Sequence, residues 1–154
     1  MSEYKATVEW TRKTPDFDYK TYNRTHTLSF AGGIRVPASA APVNIPPTAA
    51  GAPGVDPEQA FVASVSSCHM LWFLHIAWQA KYVVERYLDE ATGVLEKDSA
   101  GRMAMTRVTL RPAVTFAGRQ PSAAEHAQLH EGAHDKCFVA NSVKSEIVIE
   151  PRIA

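Results

Sequence analysis

From Lys5 to Arg12 (KATVEWTR) apolar and polar residues alternate, with the β-formers Thr, Val and Trp among them, which predicts a half-buried strand. Lys13 to Tyr22, with Pro15 and several charged residues, predicts a turn. A second strand is expected from Arg24 to Phe30 (RTHTLSF), and Gly32-Gly33 permits a hairpin into Ile34-Arg35-Val36. Between Pro37 and Pro53 five prolines and six alanines follow without period, the pattern of a surface loop.

Asp56-Pro57-Glu58-Gln59 then places a capping carboxylate, a proline at the first helical position and a glutamine at the third. The helix it opens is predicted to run to Tyr82, with Phe61, Val65, Cys68, Trp72, His75, Ile76 and Trp78 near a 3.6-residue repeat. Being mostly apolar, it is expected to be buried on several sides. Its apolar stretch, Phe61 to Trp78, is broken by Ser64, Ser66, Ser67, His69 and His75. These residues are costly against lipid, so a core helix is expected rather than a membrane span. Tyr82–Glu96 and Arg102–Phe116 read as two strands joined by a turn at Asp98–Gly101. Ser122-Ala-Ala-Glu125 is a second capping box, opening a helix with His126, His130 and His134 that runs to about Asp135. Cys137 stands just past its end, and Val143–Ile149 reads as the last strand. The order β-β-β-α-β-β-α-β makes an α+β protein, taken as one domain over residues 1–154.

Composition narrows the function classes. Sixteen basic side chains balance sixteen acidic ones, and no run of Lys or Arg exceeds two, so neither nucleic acid nor an anionic membrane is an expected partner. The start, MSEYKATVEW, lacks the layout of a signal peptide. Two cysteines without a secretory signal imply reduced thiols and a cytoplasmic location.

Those two cysteines, Cys68 and Cys137, admit three readings. They can be small buried hydrophobes, since free cysteine is among the most buried residue types. They can bind zinc together with His75 and His134, because Cys68 and His75 share a helix face and His134 precedes Cys137 by three. Or they can be redox-active, which requires thiolate and therefore a cationic or hydrogen-bonding neighbour. His26, His69, His126 and His130 are expected to be solvated or satisfied by hydrogen bonds rather than catalytic.

The run Asp56-Pro-Glu-Gln-Ala-Phe-Val-Ala-Ser-Val-Ser-Ser-Cys68 resembles the signature of the OsmC/Ohr family, the osmotically inducible and organic hydroperoxide resistance proteins. The ten-residue spacing from Glu58 to Cys68 matches that pattern. His-Asp-Lys-Cys137-Phe-Val-Ala-Asn-Ser resembles the family's second cysteine block. The resemblance implies an intertwined homodimer with antiparallel sheets around a long central helix and active sites at the interface. It implies that Cys68 is the peroxidatic thiol, oxidised to sulfenate by an organic hydroperoxide, and that Cys137 resolves it as an intrachain disulfide. It implies no bound cofactor, and recycling by an external dithiol, often on a lipoylated protein. Glu58 matches the family carboxylate that orients an arginine over the thiolate. Arg24 is the candidate arginine, in a bidentate pair with Glu58, and Arg12 and Arg35 are the alternatives. Three positions depart from the pattern: His69 stands where many relatives have Phe, and Phe138 and Ala140 where many have Pro and Ser. The chain therefore resembles a divergent branch.

One geometric constraint stands apart from the resemblance. Ten residues of straight helix span about 15 Å and turn about 280°, so Glu58 and Cys68 do not touch on one continuous helix. Either Ser64–Ser67 breaks the helix, or Glu58 acts through an arginine or across a dimer. The competing functions are a module binding a small hydrophobic ligand, suggested by Trp72, Phe73 and Trp78, and the zinc protein.

Overall fold

The computed structural model describes residues 1–49 and 51–153. The chain forms two compact units, Met1–Ala60 and Phe61–Ala154.

In the first unit, β1 (Ala6–Glu9), β2 (His26–Phe30) and β3 (Arg35–Ala38) form an antiparallel sheet in chain order. The predicted hairpin is present. A short 3-10 turn at Ala31–Gly33 joins β2 to β3, with Gly32 and Gly33 at φ +75° and +78°, where a β-carbon would be strained. The proline-rich segment is ordered in part. It contains 3-10 turns at Pro42–Asn44 and Pro47–Ala49. It returns so that Val55 bridges in parallel to Ala38. Gly54 is required at that return: a β-carbon there would stand 2.6 Å from the Ala38 backbone. Ala50, within the expected loop, lies outside the described residues.

α1 (Pro57–Gln79) is capped as predicted: the Gln59 N–H donates to Asp56 Oδ1 at 2.7 Å, and the Asp56 N–H to Gln59 Oε1 at 3.5 Å. It runs unbroken, so Ser64–Ser67 is not a break. It ends three residues earlier than expected because Lys81 takes a left-handed φ of +65°. The Lys81 N–H then bonds Trp78 O, and the Tyr82 N–H bonds Ala77 O, closing the last turn.

In the second unit the two predicted long strands each divide. β4 (Val83–Asp89) pairs with β7 (Pro112–Ala117), and β5 (Thr92–Lys97) pairs with β6 (Met103–Leu110), in separate sheets. Pro112 has no N–H for the ladder, and Asp89 Oδ1 instead accepts the Arg111 N–H at 2.6 Å. Local alternation continues through both bends, which is why each pair reads as one strand. After α2 (Ala123–Lys136), β8 (Glu146–Ile149) adds in parallel to β6 and β9 (Arg152–Ile153) in parallel to β7. The α+β class holds, with these two parallel edges added to the antiparallel pairs. The α2 capping box between Ser122 and Glu125 is present.

The buried stripe of α1 is Val65, His69, Phe73 and Ala77, an i, i+4 series. Val65 packs with Val108 and Leu110; Phe73 and Ala77 pack with Tyr82, Val114, Phe116, Leu129 and Ala133. The face expected from periodicity is rotated by one residue: Cys68, Trp72 and Ile76 flank the stripe, half-buried, while His75 and Trp78 are exposed. Nor is the helix buried on several sides within the chain, since Leu71 and Trp78 stay more than 60% exposed. An all-round apolar helix has no dominant moment, so the sheets, not the helix, choose its inner face. α1 is long and apolar enough to cross a membrane, yet here it is the core helix of this unit.

Candidate redox site

α1 carries Cys68 half-buried on its flank, and α2 ends on Cys137, which is fully buried and caps the helix through its N–H to His134 O at 3.1 Å. Sixty-nine residues apart in sequence, the two thiols lie close enough for Cys68 to bear on the protonation of Cys137. Burial first, and then the neighbouring Cys68 thiol, push the Cys137 thiol up to about 11, against the opposing pull of the Ala140 and Val139 amides. The Ala140 N–H reaches Cys137 Sγ at 3.4 Å. Cys137 therefore holds its proton at neutral pH. Both cysteines are free thiols.

The candidate arginine and carboxylate belong to the first unit. Arg24 is buried, 8% exposed, and its guanidinium donates to Tyr22 O at 2.6 Å and Tyr19 O at 2.8 Å while stacking 3.4 Å above the Tyr22 ring. It lines an open apolar pocket of about 320 Å³ with Val8, Trp10, Phe17, Tyr22 and His26. Among the described residues Arg24 has no carboxylate partner within the chain, so the expected pairing with Glu58 does not form there. The physical reason is local: two carbonyls and an aromatic face already engage the guanidinium. Glu58 is half-buried in the first turn of α1. Of the alternative arginines, Arg12 is exposed and donates to the carbonyls of Thr14 and Pro15, and Arg35 is exposed beside Glu9. Only Arg24, among the three, is a buried cation, and the two carbonyls and the Tyr22 ring offset the cost of that burial.

Of the histidines expected to be solvated or hydrogen-bonded, His69 and His130 are hydrogen-bonded to each other but buried rather than solvated. His69 and His130 are 1% and 3% exposed, stacked in parallel with Nε2 of one 3.0 Å from Nδ1 of the other. His126 meets His130 edge-on at 4.7 Å between centroids. Each member of the buried pair satisfies one nitrogen only: His69 Nδ1 and His130 Nε2 have no partner among the described residues, nor has His134 Nδ1. Burial lowers His69 to about 4, helped by His134, and lowers His130 to about 3, helped by His69 and His126. The signal was present as His126, His130 and Cys137, spaced four and seven along one face of a helix, with His69 beside Cys68.

The zinc arrangement is not assembled. No group of three or more His, Cys, Asp or Glu side chains converges to hold a metal among the described residues, and His75 lies exposed between the rings of Trp72 and Trp78. The aromatic trio suggested for a ligand does not share a face either: Phe73 is fully buried, Trp72 meets Phe138 edge-on, and Trp78 is exposed.

The fold is thus a small α+β unit that brings a half-buried thiol on one helix near a buried thiol at the end of another. The family of OsmC-like proteins matches residues 49–152, and the chain belongs to it. An OsmC-like protein of unknown function from Vibrio cholerae is 46% identical, with a TM-score of 0.95 over 99% of this chain and all of that one. The organic hydroperoxide resistance protein OhrB of Bacillus subtilis shares the fold at 21% identity and a TM-score of 0.65, covering 98% of each chain. An OsmC-like protein from Mycoplasma pneumoniae does so at 13% identity and 0.76, covering 99% of this chain and 98% of that one. Comparison with curated proteins finds no match.

Proposed function

We propose that this protein is a thiol-dependent peroxidase acting on organic hydroperoxides. The observation that carries this reading is the Cys68–Cys137 pair, in which a half-buried thiol neighbours a buried one that keeps its proton. The Cys68 thiolate attacks the O–O bond: an S–O bond forms, O–O breaks, and the departing alkoxide takes a proton to leave as alcohol. The Cys137 thiol then attacks the Cys68 sulfenic acid, forming the disulfide and releasing water. An external dithiol, such as that of a lipoylated protein, reduces that disulfide and is itself oxidised to a disulfide. No bound cofactor takes part.

In this reading Arg24 is the cation that favours the Cys68 thiolate and Glu58 orients it, as in the family pattern. The working form is a cytoplasmic homodimer, with Leu71, Trp78 and Phe138 as apolar surface available to a partner copy. A buried guanidinium with no carboxylate partner among the described residues, beside an apolar pocket, supports that assignment.

Mixing the reduced protein with cumene hydroperoxide tests the reading. One peroxide should be consumed per two thiols, with an intramolecular disulfide as product. Consumption no faster than by a free thiol, or thiol loss without that disulfide, rules the peroxidase out.

A further inference from the structure

The α1–α2 contact that brings the thiols together has a polar link. Within Phe61–Ala154, His69 adjoins Cys68 on α1, and His130 lies seven residues before Cys137 on α2, about 10 Å away on the same helix face. The imidazoles meet at 3.0 Å in the core, wedged against Phe73, whose ring centroid is 4.4 Å from that of His130. Near the thiols, other contacts across the helices among the described residues are loose in register: Trp72 on Phe138, the Lys136 ammonium 5.8 Å over the Trp72 ring, and the Ile76 side chain close to Gly132. Such contacts tolerate sliding; a hydrogen bond between rigid rings does not. Two imidazoles with an orphaned nitrogen each are also a poor way to fill a core that leucines would fill better. Packing alone does not account for them.

We propose that the His69–His130 hydrogen bond is a positioning clasp that fixes the α1–α2 register and holds Cys68 against Cys137, so that it governs disulfide formation rather than attack on peroxide. The inference rests on the reading of Cys68 and Cys137 as a disulfide-forming pair. The outer nitrogens stay free because the clasp needs only the inner two. One inner nitrogen donates and the other accepts, and burial keeps both rings neutral at physiological pH.

The test uses the full-length reduced protein equilibrated in glutathione buffers without any peroxide. The disulfide forms as two protein thiols and one glutathione disulfide give the protein disulfide and two glutathiones, and the ratio yields the effective concentration of one thiol at the other. His69→Leu, His130→Leu and the double leucine variant should remain folded by circular dichroism yet lower this concentration about five- to tenfold, the equivalent of one lost hydrogen bond. His69→Gln, whose amide reaches the place of Nε2, should stay within about twofold of the parent. A folded double leucine variant with the parent's effective concentration overturns the clasp. So does a parent that forms no intramolecular disulfide in the buffer. Should the leucine variants not fold, His69→Asn decides: it carries the same amide on a shorter stem, and equality with His69→Gln overturns the proposal. Hydroperoxide turnover is measured separately on the parent. A parent that forms the disulfide in glutathione but does not reduce cumene hydroperoxide refutes the peroxidase and leaves the clasp standing.

Discussion

In Met1–Ala60 the buried apolar residues among those described are two alanines, Ala38 and Ala49, and the other buried side chains are polar: Arg24, Ser39 and Asp56. In Phe61–Ala154 the interior holds Val65, Phe73, Tyr82, Val108, Leu110, Val114, Phe116 and Leu129. Trp10, Phe17, Tyr19 and Phe30 of the first unit remain more than 40% exposed. The second unit thus has a core sufficient to hold two helices against two sheets, and it contains both thiols. The first offers a cation and a carboxylate on a scaffold with little apolar burial. Both cysteines are thus placed by a packed interior, while the candidate arginine and carboxylate sit on a scaffold without one.

The largest effect separates the two sulfurs. Cys68→Ser should abolish hydroperoxide reduction, whereas Cys137→Ser should permit one oxidation and then accumulate sulfinate on Cys68, read by mass spectrometry; equal behaviour of the two variants would dissolve the distinction between them. Next comes the electrostatic contribution of the first unit. Arg24→Ala should slow peroxide reduction about 100-fold with the circular dichroism unchanged, as for loss of one charge-stabilising group. Arg12→Ala and Arg35→Ala should act within about twofold, and the reverse ranking reassigns the arginine. Glu58→Ala should cost less than Arg24→Ala.

Stability sharpens the same contrast. Phe73→Ala should cost about 3–5 kcal/mol in urea unfolding, and Phe17→Ala, 71% exposed, about 1 kcal/mol or less. Comparable losses would mean that the aromatic cluster of the first unit is covered in solution. Acid should act chiefly on the second unit. His69 and His130 are held below their ordinary value of 6.5, toward about 4 and about 3. The unfolded chain therefore binds more protons than the folded one as pH falls below about 6.5. The stability these groups contribute is fully present above that pH and is lost as pH falls toward 4, at up to about 1.4 kcal/mol per pH unit for each ring. The two rings are coupled, so their losses do not simply add. The His69→Leu/His130→Leu protein should show a flatter pH profile, and an equal slope would place the acid sensitivity elsewhere. The smallest effect is Asp56→Ala, which removes the α1 cap and should cost about 1 kcal/mol by thermal unfolding.

Much of this was written in local chemistry. Both helix starts were legible because a capping box is a contact within four residues: Asp56 with Gln59, Ser122 with Glu125. The Gly32-Gly33 hairpin was legible because only glycine takes those φ values without strain. The two cysteines were singled out as chemistry, and the family, by short motifs around Glu58, Cys68 and Cys137. What alternation could not reveal is the division of each long strand near Asp89 and Pro112. There the sequence keeps its two-residue period while a side chain on one strand replaces a ladder bond of the other.

The sequence by itself therefore determined where helices begin, where turns fall and which residues could bear redox chemistry, since these depend on neighbours a few positions apart. Tertiary structure decided what depends on long-range packing. It rotated the inner face of α1 by one residue, because a helix apolar on every side accepts whichever face the sheets offer. It brought Cys68 to Cys137 and His69 to His130 across tens of residues of chain, and it left Arg24 stacked on Tyr22 rather than on Glu58. Those choices turn on which desolvated groups can satisfy one another once the core has closed, and no local pattern encodes that.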